Sequence, residues 1–160
     1  MICDPCDHLD VLVVDDEPEV GAFVQEYLAR YNVRSFVATS AGQARVIARV
    51  EPPSVVLLDL IMPGETGLSL GRWLRSYSAQ TRIVIMSAAG ELVQLIAESE
   101  GIVDDCLLKP FAPAELLASI GTQLSKARLH GSPPPRTVGW AAVQAVPSRP
   151  PACGQGPRSQ

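Results

Sequence analysis

Short apolar runs alternate with amphipathic stretches along most of the chain. Residues 11–14 read VLVV, an unbroken apolar run of the length of a strand buried on both faces. Val20, Phe23, Val24, Tyr27, Leu28 and Tyr31 then recur at helical spacing, with Pro18 acceptable in a first turn. VRSFVA predicts a second strand. Ser40-Ala-Gly-Gln43 has the form of a capping box, and Ala44, Ile47 and Ala48 continue one helix face. SVVLLD predicts a third strand, and TGLSLGRWLRSY an amphipathic helix through Leu68, Trp73 and Leu74, weakened by Gly71. TRIVIMS is a fourth apolar strand. GELVQLIAESEG predicts a helix ending at Gly101. IVDDCLL is a fifth strand, and Pro113, Leu116, Leu117, Ile120 and Leu124 share one face of a last helix. Strands that alternate with helices imply right-handed crossovers and a parallel sheet covered on both sides, so the expected class is a doubly wound α/β fold.

The pattern stops near residue 128. Seven of the 14 prolines follow, with few large apolar residues, so the segment is expected to be disordered. The expected organisation is an N-terminal extension at 1–8, a domain at 9–126 and a Pro-rich tail at 127–160.

Charge sharpens this division. Residues 131–160 hold Arg136, Arg149 and Arg158 and no acid, so the rest carries 17 acids against 10 bases. An acidic domain repels phosphate backbones, and no recognition helix or basic patch is visible, which argues against DNA binding. The acidic N-terminus does not resemble a signal peptide, and no apolar run reaches membrane-spanning length. A cytoplasmic location without membrane contact is expected. Cys3 and Cys6 form a C-x-x-C with only His8 as a nearby further ligand, and inert thiols are the preferred reading.

In a doubly wound sheet, polar chemistry gathers at the carboxyl ends of the strands. Asp15 and Asp16 close the first strand, Asp59 the third and Ser87 the fourth, while Lys109 lies just past the fifth. Three converging carboxylates need a cation, and oxygen ligands suit hydrated Mg2+. A carboxylate beside Mg2+ and an ammonium can act as a nucleophile toward a phosphoryl group.

VLVVDDEPEV, VVLLDLIMPGETGLSL, IVIMSA and LLKPFAPAELLASI together resemble the receiver domain of two-component response regulators over about residues 9–126. The variant most similar to it is the receiver of the winged-helix transcription-factor class. The resemblance implies a flavodoxin-like (βα)5 sandwich with strand order 2-1-3-4-5. It implies that Asp59 accepts a phosphoryl group from a histidine kinase or histidine phosphotransfer protein. It further implies Mg2+ at Asp15, Asp16, Asp59 and the Ile61 carbonyl. Lys109 would pair with the phosphoryl oxygens, Ser87 would turn in to bond one of them, and Pro110 would follow a cis peptide bond.

The chain also departs from that family. Cys106 stands where Tyr or Phe is usual, and a small buried strand residue is preferred over a redox sensor. Leu95, Ala114 and Ser119 occupy basic positions of the winged-helix class, leaving Asp104 and Asp105 without those partners. A homodimer or protein target is expected on the face formed by the helix around Leu92 and Leu95, the fifth strand and the last helix. TVGW faintly resembles the start of a winged helix, but Pro, Ala and Gly follow. The leading reading is a single-domain response regulator, a signalling module and not an enzyme. The alternatives are a phosphate-independent interaction module or a truncated remnant of a winged-helix regulator. A Mg2+-dependent phosphatase would want a second Asp where Ile61 stands.

Overall fold

A computed structural model describes residues 9–88 and 101–129. Five strands and four helices follow in order: β1 Val11–Val14, α1 Pro18–Ala29, β2 Ser35–Ala38, α2 Ala41–Val50, β3 Val55–Asp59, α3 Gly67–Tyr77, β4 Arg82–Ala88, β5 Asp105–Lys109 and α4 Pro113–Leu129. The sheet is parallel, in the order β2-β1-β3-β4-β5. The last helix runs to Leu129, three residues past the expected domain end at 126; the helix expected around Leu92 and Leu95, the Cys3–Cys6 pair and residues 130–160 of the Pro-rich tail lie outside the described residues.

Unbroken apolar strands serve two cores at once, because successive side chains leave a strand on opposite faces. Val11 and Val13 of β1 join Val24 and Leu28 of α1 and Leu116, Leu117 and Ile120 of α4. Leu12 and Val14 join Ala44 and Ala48 of α2 and Leu70 and Leu74 of α3 on the other face. One strand thus anchors both helical layers, and the carboxyl end of the sheet is held rigidly from both sides.

Local signals set the helix starts, with two differences from expectation. Ser40 caps α2 by accepting from the Gln43 N–H, but the Gln43 side chain accepts from the Thr39 N–H rather than closing back on Ser40. The motif is stretched by one residue, because β2 ends at Ala38 and leaves the Thr39 amide to be satisfied. Helix α1 buries Gly21, Val24 and Leu28, whereas Phe23 is 46% exposed despite its helical spacing. A Cβ at Gly21 would strike the Val37 side chain, so α1 sits close on β2, and Phe23 turns to the edge. There it stacks on Tyr27, which meets Tyr31 edge-on. On the opposite layer, α2 and α3 are tied by Arg45 and Arg49 over the Trp73 ring and by an Arg45–Glu65 ion pair.

Candidate functional site

Asp59 is the last residue of β3, and its neighbour Leu60 is pinned by a backbone bond to Met86 of β4. The chain then turns through Gly64, whose φ of 82° favours glycine. Thr66 caps α3 by accepting from the Ser69 N–H. Gly67 N–H bonds the Leu60 carbonyl at 2.8 Å, and a Cβ there would collide with the Asp59 carbonyl. The first residue of α3 therefore rests directly on the backbone that carries Asp59. Gly71 stands out in the sequence and Gly67 does not, because nothing in a local pattern marks a close approach between a helix start and a strand end.

The strand ends converge as the sequence suggested. One carboxylate oxygen from each of Asp15, Asp16 and Asp59 lies within 4.8 Å of the others. Asp15 is fully buried, Asp59 is 8% exposed, and Asp16 is partly open to solvent. Lys109 Nζ stands 3.1 Å from Asp15 Oδ2 and 3.3 Å from Asp59 Oδ1, so one ammonium bridges two carboxylates. The other Asp15 oxygen accepts from the Glu17 N–H. Ser87 ends up buried one residue beyond Met86, the register partner of Asp59, and its hydroxyl donates to the Ala88 carbonyl at 2.9 Å. The Ile61 N–H bonds the Asp59 carboxylate, which places this residue at the rim of the same pocket. The Lys109-Pro110 peptide is cis.

Electrostatics follow from this crowding. Burial pushes the Asp59 carboxyl above its ordinary value, and the Asp15 charge adds to that. The Lys109 ammonium and the Ile61 N–H oppose the rise without cancelling it. Burial works against the Lys109 charge, but the bond to Asp15 and the charges of Asp15 and Asp59 outweigh it and hold its pKa above the usual lysine value. Three carboxylates facing one lysine leave uncompensated negative charge. The donor set is all oxygen, which fits a hard cation such as Mg2+.

Cys106 is half buried. Burial first, and then the Asp105 charge, push its thiol pKa up, the opposite of an activated thiolate. Asp104 and Asp105 do have partners, and they come from this chain. Asp104 accepts from Arg75 at 2.8 Å, Arg82 at 3.1 Å and the Ile83 N–H at 2.8 Å. Asp105 accepts from the Ser119 hydroxyl at 2.6 Å. Beside the acidic pocket, a groove of about 490 Å3 is lined by Glu19, Val20, Phe23, Lys109, Pro110 and Phe111.

Fold and pocket together define a doubly wound α/β module with a cation-ready acidic site at its strand ends. The model of the response regulator receiver domain matches residues 11–121, and the chain belongs to that family. It is 37% identical over 116 residues to the protein PetR of Rhodobacter capsulatus, covering 72% of this chain and 48% of PetR. It is 34% identical over 116 residues to the DNA-binding response regulator MtrA of Mycolicibacterium smegmatis, covering 72% of this chain and 50% of MtrA. The chain thus spans about half the length of these relatives. Among solved structures, it is similar to a CheY-like receiver domain protein from Methanospirillum hungatei. That likeness has a TM-score of 0.72 at 19% identity, covering 78% of this chain and all of the other. The receiver domain of NtrX from Brucella abortus gives a TM-score of 0.69 at 24% identity, covering 72% and 98%. Receiver domains of response regulators are generally non-enzymatic signalling modules that bind Mg2+ at an acidic pocket. Among the described residues no helix is long and apolar enough to cross a membrane.

Proposed function

We propose that Asp59 accepts a phosphoryl group from the phosphohistidine of a sensor histidine kinase or a histidine phosphotransfer protein. The bridging of Asp15 and Asp59 by Lys109 carries this reading. An Asp59 oxygen forms a bond to phosphorus as the P–N bond breaks, and the imidazole leaves. Positioning and charge neutralisation supply most of the catalysis in such transfers. Lys109 is placed to take the developing phosphoryl charge, and the stacked backbone of Leu60 and Gly67 fixes the nucleophile's direction. Ser87 gives up its bond to Ala88 and donates to a phosphoryl oxygen. Asp15, Asp16, Asp59 and the Ile61 carbonyl would hold Mg2+, which neutralises phosphoryl charge when bound.

In this reading the chain works as a single-domain, cytoplasmic response regulator whose output is a phosphorylation-dependent protein contact. The net acidity of residues 1–130 supports a protein target over a phosphate backbone. Incubation with Mg2+ and acetyl phosphate should give an acid-stable, base-labile adduct. Asp59→Asn keeps the shape and removes the nucleophile, so its labelling should vanish. Labelling of that variant to the wild-type extent would falsify the assignment.

A further inference from the structure

The groove beside the acidic pocket is lined by two aromatic rings, Phe23 and Phe111, by Val20 and Pro110, and by one residue of each charge, Glu19 and Lys109, the latter turned to Asp15 and Asp59. Phe23 is 46% exposed, and Glu19 has no ion-pair partner among the described residues. Aromatic-lined grooves are what proline-rich segments in polyproline II conformation dock into. This chain carries two proline-rich stretches beyond its last described helix: Ser132–Arg136, reading SPPPR, and Pro147–Pro151, reading PSRPP.

Reach separates them. The groove lies at the start of α4, whereas the tail leaves from its other end at Leu129. At 1.5 Å per residue the 17 residues of α4 put these points about 25 Å apart. Pro133 follows Leu129 by four residues and reaches at most about 14 Å, which is too short. Pro147 follows by 18 residues. A chain of that length without fixed structure has a root-mean-square span of about 21–25 Å, and a linker works best when this matches the distance it must bridge. Polyproline II repeats every three residues, so in that conformation Pro147 and Pro150 would share one side and Arg149 another. Residues 131–160 carry three arginines and no acid, complementary to Glu19.

We propose that Pro147–Pro151 docks in cis into the Phe23–Phe111 groove, with Pro147 and Pro150 against the rings and Arg149 toward Glu19. The contact sits beside the pocket, because Lys109 belongs to both. The contact itself does not depend on Asp59 accepting a phosphoryl group, so its test is separate from the labelling test.

Cys153 lies two residues past Pro151 and offers a reporter. In the full chain carrying Cys3→Ser, Cys6→Ser and Cys106→Ser, a nitroxide on Cys153 should erase most of the amide signal intensity of Val20, Phe23 and Phe111. Val46 and Val50, exposed on α2 at the opposite layer, should keep theirs, and the pattern should not change on dilution. Pro147→Ala with Pro150→Ala should restore the lost signals. Glu19→Lys should restore them in part, since an exposed ion pair contributes little. Loss spread evenly over both layers would overturn the proposal. So would loss that fades on dilution, which marks a contact between copies, or loss that survives the double proline substitution.

Discussion

The two ends of the sheet use the same residue type for opposite purposes. At the amino ends, Asp104 meets two arginines and a backbone N–H, while Asp10, 2% exposed, accepts from the Arg34 N–H at 2.8 Å. At the carboxyl ends, Asp15, Asp16 and Asp59 face a single ammonium. A carboxylate whose oxygens are met by donors of its own holds elements together; one that shares a single ammonium with other carboxylates is available to a metal or a reacting group. Strand β5 shows both within five residues, from Asp105 bonded to Ser119 at its start to Lys109 in the pocket at its end.

The comparison breaks most visibly at Asp104. Replacing it by Ala removes the counter-charge of two partly buried guanidinium groups and the acceptor of the Ile83 N–H, while Arg75 keeps its bonds to the Ala79, Thr81 and Ile102 carbonyls, and uncompensated buried charge is costly. Asp104→Ala should lose about 3 kcal/mol, the lower end of the range for broken buried pairs because the partners are partly exposed. A urea midpoint unchanged from wild type would show that this acid is not the clamp its geometry describes.

Gly67 tests the rigidity of the other end. Gly67→Ala forces a methyl group against the Asp59 backbone carbonyl, and overpacking of this kind costs about 1–3 kcal/mol. It should also displace the carboxylate, so acetyl-phosphate labelling should fall by more than the stability loss accounts for. Full labelling in a destabilised Gly67→Ala would mean that α3 can move without carrying Asp59 with it.

The sequence carried the upper end better than the lower one. Asp15, Asp16, Asp59, Ser87 and Lys109 were legible because apolar strands with fixed period bring their last residues to one edge. The Arg75–Asp104–Arg82 clamp was not, since it joins the end of α3 to the starts of β4 and β5, and long-range pairing leaves no mark in a local pattern. The burial of α1 was half legible. Spacing grouped Phe23 with Val24 and Leu28, but the closeness allowed by Gly21 rotated the buried stripe away from it. Asp104 and Asp105 lack the basic partners of the winged-helix class, as the sequence implied, and are bonded within the chain by Arg75, Arg82 and Ser119 instead, pairings that no local pattern marks.

Metal should narrow the contrast between the two ends. Mg2+ at the carboxylates relieves their repulsion, so it should raise the melting temperature, equivalent to about 2.7 kcal/mol at one hundred times the dissociation constant. Asp16→Ala removes one repelling charge, so its metal-free melting temperature should exceed that of wild type, and its gain on adding Mg2+ should shrink. A lower metal-free melting temperature in this variant would count against repulsion as the dominant feature of the pocket.

The smallest effect is one of sign. Asp59 has a folded pKa above its ordinary 3.8, so the folded state holds its proton more tightly than the unfolded chain does. Metal-free wild type should therefore gain stability relative to Asp59→Asn as pH falls from neutral through the raised value, and stop gaining below the ordinary one. Glu65 behaves oppositely. Its bond to Arg45 holds its carboxyl below the ordinary 4.5, with Ser69 assisting. The advantage of wild type over Glu65→Gln is thus present above the ordinary value and lost as pH falls through the folded one. Denaturant midpoints of the three proteins without metal, taken from neutral pH down through the carboxylate range, should give difference curves of opposite slope. Added Mg2+ should flatten only the Asp59 curve, because a bound cation reverses the penalty on that charge and leaves the Arg45–Glu65 pair untouched. Parallel curves would mean that Asp59 is compensated as fully as Glu65, and the two kinds of carboxylate would no longer be distinct.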